Sequence, residues 1–365
     1  MKIQFVILLF GIFVFSVTIF TNFEISNTLA QLPTNYVVDE IELPGGTGPI
    51  AINPKTNLVY VTNPFSDTIT VLDGSTNNLH STIKIGTTPY GIAVNPVTNL
   101  IYVAREFDNI LAVVNGSSNT IEENINIIDP YDVAVNPKTN MIYVTSDRSH
   151  SLYVIDGTTN LIVQNFTIQI PCGVAVNPNT NLIYVTSEAT DKVHVINGSN
   201  NKLVTMIDVD KSPRGVIVNP NTNVVYVTNQ GSDNISVIDG FENKVIDTID
   251  VGKTPRRVVV NPENNRIYVT NHFSDSVSII DSTTNSVVES VTVIKPFEMA
   301  INTNTGMVYV TYSESGPLSI ISESVKVQDS SIQLNSIIII GIILVTVGVI
   351  TSIFIRRRKI QNQIK

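Results

Sequence analysis

"NPKTNLVYVTN", Asn53–Asn63, sets four apolar residues, Leu58–Val61, between two polar turns, and those four offer no side chain suited to catalysis. The stretch recurs. "NPVTNLIYVAR" begins at Asn95, "NPKTNMIYVTS" at Asn136, "NPNTNLIYVTS" at Asn177, "NPNTNVVYVTN" at Asn219 and "NPENNRIYVTN" at Asn261. A worn copy, "NTNTGMVYVTY", begins at Asn302. The copies lie 41 or 42 residues apart, and self-similarity at such a period marks a repeat architecture.

Within one period the apolar runs are short and bounded by turn residues. In the second, "YGIAVNP" at Tyr90, "NLIYVAR" at Asn99, "NILAVVNG" at Asn109 and "TIEENINI" at Thr120 read as four strands rich in Val, Ile and Tyr. "NLIYV" barely alternates, which fits a strand covered on both faces. Four short antiparallel strands per repeat, each sheet packed between two neighbours, describe the blades of a β-propeller. The fold class expected is all-β: a seven-bladed propeller of four-stranded blades over residues 31–322. Asn-Pro starts the turn after the first strand, with Pro fixing φ and Asn bonding its own backbone two residues on. "LIYV" packs between blades, and the Thr of "YVT" ends the apolar run.

The last copy lacks a strand. "NYVVDEIELPG" at Asn35 aligns with the fourth-strand segment "NLHSTIKIG" at Asn78, so Tyr36 to Leu43 is expected to complete the seventh blade and cover its open edge. "SVKVQ" at Ser324 is the alternative filler.

"YVTN" stands verbatim at Tyr60, Tyr226 and Tyr268, with "AVNP" and "VIDG" beside it. On these residues the chain resembles the YVTN-repeat β-propellers of archaeal surface-layer and bacterial exported proteins. That resemblance implies a fold, and it implies no shared catalytic residues. Trp is absent, and with it the Trp-Asp signature of WD-repeat propellers.

Both ends are apolar. Lys2, an apolar run to Phe20 and "NTLAQ" with its small residue Ala30 read as a signal peptide or signal anchor over residues 1–30. Residues 323–336 form a stalk, and 337–355, without a charge, read as a transmembrane helix. "RRRK" at Arg356 opens a basic tail over 356–365, which places the C-terminus in the cytoplasm. A single-pass protein of the cell membrane follows, with its propeller extracellular. Strand polarity sends the stalk out of the face opposite the channel entry, so the entry face points away from the cell.

The chain has 22 basic and 31 acidic side chains. Setting aside Lys2, Glu24, Arg356, Arg357, Arg358, Lys359 and Lys365 leaves 16 and 30, a net −14. That sign is wrong for clamping phosphates, so no nucleic-acid partner is expected. Cys172 is the only cysteine, which excludes internal disulfides and Cys-rich metal sites.

Positions alike in every blade hold a repeat fold, whereas positions that differ can meet a partner. After the Pro that enters each first strand stand Ile50, Tyr90, Tyr131, Cys172, Arg214, Arg256 and Phe297. The loops after the second strands add Arg105, Phe107, Arg148 and His272 on the same face. Tyr90, Tyr131, Arg214, Arg256, Phe297, Arg105, Phe107, Arg148 and His272 are therefore the candidate ligand-binding residues, of types that interfaces favour. Arg214, Arg256 and Arg257 in consecutive blades are positioned to attract a carboxylate or sulfate.

No phosphate loop, nucleophile elbow or paired-His motif is present, so no catalytic residue, metal or cofactor is assigned. Asn115, Asn165, Asn197 and Asn234 begin Asn-x-Ser/Thr triplets and are candidate glycosylation sites. The expected function is a monomeric surface module, not an enzyme, that binds a surface protein or polysaccharide. The alternatives are a structural envelope component and, third, a metal-dependent propeller lyase or lactonase drawing on Glu106, Glu188 and His272.

Overall fold

The computed structural model describes residues 34–312 and 316–325. Tyr36–Glu323 form one compact unit. The segments read as signal and transmembrane helix lie outside the described residues. Among the described residues no helix is long and apolar enough to cross a membrane.

Seven four-stranded antiparallel sheets follow one another. The second blade is Pro89–Asn95, Leu100–Arg105, Ile110–Asn115 and Thr120–Asn126, matching the four strands expected there. The seventh runs Pro296–Ile301, Val308–Tyr312 and Leu318–Val325, and Thr34–Ile41 supplies its outer strand. The N-terminal strand thus closes the ring. The alternative filler fails because Ser324 and Val325 belong to the third strand of that blade.

The second strand of each blade is buried on both faces, as in "LVYVTN", where only Leu58 is partly exposed. The core lies between blades as seven clusters, each built around one tyrosine of the repeat. Tyr60 packs on Ile101 and Val103 of the next blade, and Tyr309 packs on Val59 and Val61 of the first. Fully burying such a ring is worth roughly 1.5–3 kcal/mol, and the set recurs around the toroid.

The Asn-Pro turn does more than turn. Asn53 Oδ1 accepts from Lys55 N at 3.0 Å, the local bond expected. Its amide donates across the blade boundary to Asn99 Oδ1 at 2.7 Å. Asn95 to Asn140, Asn136 to Asn181 and Asn177 to Asn223 repeat this link. The accepting asparagines are left-handed, with φ between 55° and 58°. Asn tolerates that conformation better than other residues with a Cβ.

The threonine of "YVT" does not end the buried run. Thr62, Thr145, Thr186, Thr228, Thr270 and Thr311 are fully buried. Their hydroxyls find carbonyls instead: Thr186 donates to Arg214 O at 2.7 Å and Thr228 to Arg256 O at 2.9 Å, each in the following blade. A β-branched side chain with one hydroxyl suits this place, because a buried donor must be paired.

Candidate functional site

Five of the seven first strands enter through a register shift; those at Ile50 and Val133 pair without one. Pro89 pairs with Arg105 and Ile92 with Val103, so Tyr90 and Gly91 together oppose Ala104. The same shift follows Pro171, Pro213, Pro255 and Pro296. Such bulges re-aim side chains, and in these five blades the residue after Pro, Tyr90, Cys172, Arg214, Arg256 or Phe297, lies within the shift. From Tyr131 to Phe297 the carbonyl of the residue after Pro is held by the preceding blade, as Thr145 holds Cys172 at 2.8 Å.

Five of the expected residues meet there. The Tyr90 and Tyr131 rings lie 4.9 Å apart and their hydroxyls 3.2 Å apart. Phe297 meets Tyr90 edge-on at 6.2 Å. Arg214 donates to the Tyr131 hydroxyl and stands over its ring at 5.8 Å. Arg256 lies over Phe297 at 4.3 Å. Burial pushes both tyrosines up, so they stay neutral phenols at physiological pH.

Ile50 is not the first-blade member of this set. It pairs with Val61 as Ile92 pairs with Val103, and it is buried between blades. Gly48 occupies the position instead, because the first blade carries its Pro two residues later, at Pro49. Counting from the Pro misaligned that blade.

The residue after each of these is Pro49, Gly91, Asp132, Gly173, Gly215, Arg257 and Glu298. At three of them only Gly fits: a Cβ on Gly91, Gly173 or Gly215 would stand 2.1–2.4 Å from the next blade's carbonyl oxygen. The other three blades send charges inward. Arg257 Nε meets Glu298 Oε2 at 2.7 Å, and its Nη1 and Nη2 meet Asp132 at 3.1 and 3.2 Å. Asp132 also accepts from Val174 N at 3.2 Å. Burial raises the Glu298 carboxyl above its usual range, against the pull of Arg257. Asp132 and Glu298 were not singled out from sequence. An alignment on Asn-Pro carries their signal, since charge stands where other blades have Gly.

This ionic layer lies under the aromatic mouth. Asp132 and Arg257 also line a 230 Å³ cavity walled by Val133, Val174, Val216, Val258, Val260 and Met299.

The other four candidates lie apart. Arg105 pairs with Asp108 beneath Gly86. Arg148 pairs with Glu106 at 3.0 Å and stands over Phe107 at 5.8 Å, an exposed group on the second and third blades. His272 Nδ1 lies 3.3 Å from Pro296 O and its ring 4.9 Å from Phe273. Glu188 faces Arg214 at 3.7 Å and the Cys172 thiol at 3.3 Å. Burial pushes that thiol up to about 12, so it is no ready nucleophile. No group of three or more His, Cys, Asp or Glu fit to hold a metal occurs among the described residues.

Asn165 is exposed on an outer strand, whereas Asn115 and Asn197 are half-buried and cap their own turns. Asn234 is buried, with its amide on Asp210 at 2.7 Å. A glycan there would have to break that bond.

Comparison with known proteins adds a fold and a hint. The family described as Lactonase, 7-bladed beta-propeller, matches residues 171–288, less than half of the chain. Hydrazine synthase of Kuenenia stuttgartiensis is similar in structure at a TM-score of 0.69. It is 15% identical, over 79% of this chain and 98% of that one. The match to 1578 chains of known structure shows how widely the fold is shared, which is why it carries no activity. No curated protein matches the chain.

Proposed function

We propose that the chain is a surface propeller that binds a partner through its channel mouth. The observation that supports this is convergence. Tyr90, Tyr131, Arg214, Arg256 and Phe297 come from five blades, occupy a position that does not keep one residue type around the ring, and meet over the Asp132–Arg257–Glu298 layer. Positions that served only the fold would repeat, as the Asn, Tyr and Thr of the motif do.

In this reading the propeller belongs to the YVTN-repeat group, is exported, and is held to the membrane by residues 337–355 with the mouth facing outward. The test is capture of a surface partner by the protein, with wild type set against the Arg214→Ala, Arg256→Ala, Phe297→Ala variant. Retained capture by a folded variant would overturn the reading. Ordered self-assembly indifferent to these changes would favour the structural alternative. The exposed Leu161, Val163, Leu203, Val204, Ile246 and Val288 on the outer strands give that alternative a surface.

A second reading rests on the lactonase match, whose span contains Glu188, Arg214, Arg256 and Arg257. It makes the mouth a propeller enzyme site. Hydrolysis of a simple lactone, with and without added divalent metal and lost in Glu188→Gln, would establish it.

A further inference from the structure

We propose that Arg256, with Arg214 beside it, docks a single carboxylate whose carrier lays an apolar or flat face on Tyr90 and Tyr131. This deepens the mouth reading and rests on it.

Arg256 is an unspent cation. Its Nε is buried without a hydrogen-bond partner, and its contact is the Phe297 face. Among the described residues no carboxylate forms an ion pair with it. The acids nearby are committed elsewhere: Glu298 and Asp132 to Arg257, and Glu188 to Arg214 and Cys172. Burial, and then the charge of Arg214, lower the Arg256 guanidinium from its ordinary value. It stays protonated all the same, because arginine does not lose its proton in proteins. A half-buried cation held near a second cation is stabilised by any anion that reaches it.

The surroundings restrict that anion. Three arginines and three carboxylates balance at the mouth, so contact geometry decides binding and long-range attraction does not. The chain outside its termini carries a net −14, which repels a polyanion and tolerates one charge. A planar carboxylate matches a guanidinium in two parallel hydrogen bonds. The half-buried Tyr90 and Tyr131 rings beside it offer a face for an apolar body, and tyrosine suits such contacts.

The carrier has two sources, a peptide terminus or an acidic sugar, and two probes separate them. The full chain is titrated calorimetrically with N-acetyl-phenylalanine and with glucuronate, each against its neutral amide. One acid is expected to bind one-to-one, at least tenfold more tightly than its amide, and more weakly as salt rises. Arg256→Gln should abolish the difference between acid and amide. Arg256→Lys, which keeps the charge but loses the fork, should reduce it and guards against a variant that misfolds. Equal binding of acid and amide, no binding of either acid, or full competition by inorganic sulfate would each overturn the carboxylate assignment. If both acids fail while partner capture still depends on Arg214, Arg256 and Phe297, only this inference falls. If an acid binds through Arg256 while capture ignores the mouth, the partner reading falls instead.

Discussion

The side-chain amide of Asn302 in the last blade donates to Asn57 Oδ1 in the first at 2.8 Å. It is the bond that links the Asn-Pro turns at Asn53, Asn95, Asn136 and Asn177 to their neighbours, made here across 245 residues of sequence. Asn302 is fully buried, and its Oδ1 also accepts from Asn304 N at 3.0 Å. Asn302→Ala should cost about 1–3 kcal/mol, since it strands buried polar groups. Hydrogen exchange should quicken in the first and seventh blades and stay unchanged in the fourth. Uniform quickening would show that the bond has no special place in closure.

Ala104 stands where six blades have Thr, yet restoring the majority residue should destabilise the protein. Without a hydroxyl to bridge the blades, Gly91 N bonds Tyr131 O directly at 3.1 Å. The space a Thr would need is therefore closed, and Ala104 is fully buried. Ala104→Thr should cost roughly 1–3 kcal/mol by overpacking, seen as a lower denaturant midpoint. A gain in stability would refute this account of the second blade.

The buried tyrosines look alike but should respond differently to losing a hydroxyl. Tyr309 donates to Asn77 at 2.6 Å, whereas the Tyr143 hydroxyl has no partner. Burial alone pushes Tyr143 up to about 12. Tyr309→Phe should cost about 1 kcal/mol, and Tyr143→Phe should be neutral or stabilising. Thermal melts of the two variants decide it.

The ionic layer should be fragile to half-removal. Arg257→Ala leaves Asp132 and Glu298 buried without their cation and should cost about 3–5 kcal/mol. Adding Glu298→Gln and Asp132→Asn should recover much of the loss. The Glu298 carboxyl is raised by burial, so its contribution is full below its unfolded value and declines as pH rises through its folded value. Glu298→Gln should therefore flatten the fall in stability on the alkaline side of that value, in melts taken across pH.

Asp281 shows the opposite sign. Thr283, through its hydroxyl and N–H, and then Arg266 at 2.6 Å hold the carboxyl at about 2, below its ordinary 3.8. Its contribution is present above the unfolded value and lost as pH falls through about 2. Asp281→Asn should lower the melting temperature near neutrality, with a gap from wild type that narrows as the pH falls below about 4. A gap that does not vary with pH would mean that the turn, and not the charge, is what Asp281 supports.

The chain by itself determined the ring. A forty-residue period with short apolar runs leaves only blades, the unmatched strand at Tyr36 had one open edge to fill, and the residue types at the mouth were legible in every blade but the first, because repeats expose their own exceptions. What it hid was depth. Thr228 reads as the polar end of a strand, yet it is fully buried and reaches a carbonyl of the next blade, a neighbour 28 residues away. Asp132, Arg257 and Glu298 lie in three blades, and nothing local says that they meet. Only closing the toroid brings these side chains onto one axis. Which candidates share a site, and which cation is left unpaired, was decided by the bulges that aim Tyr90 and Arg256 inward while Arg105 and Arg148 find acids at the rim.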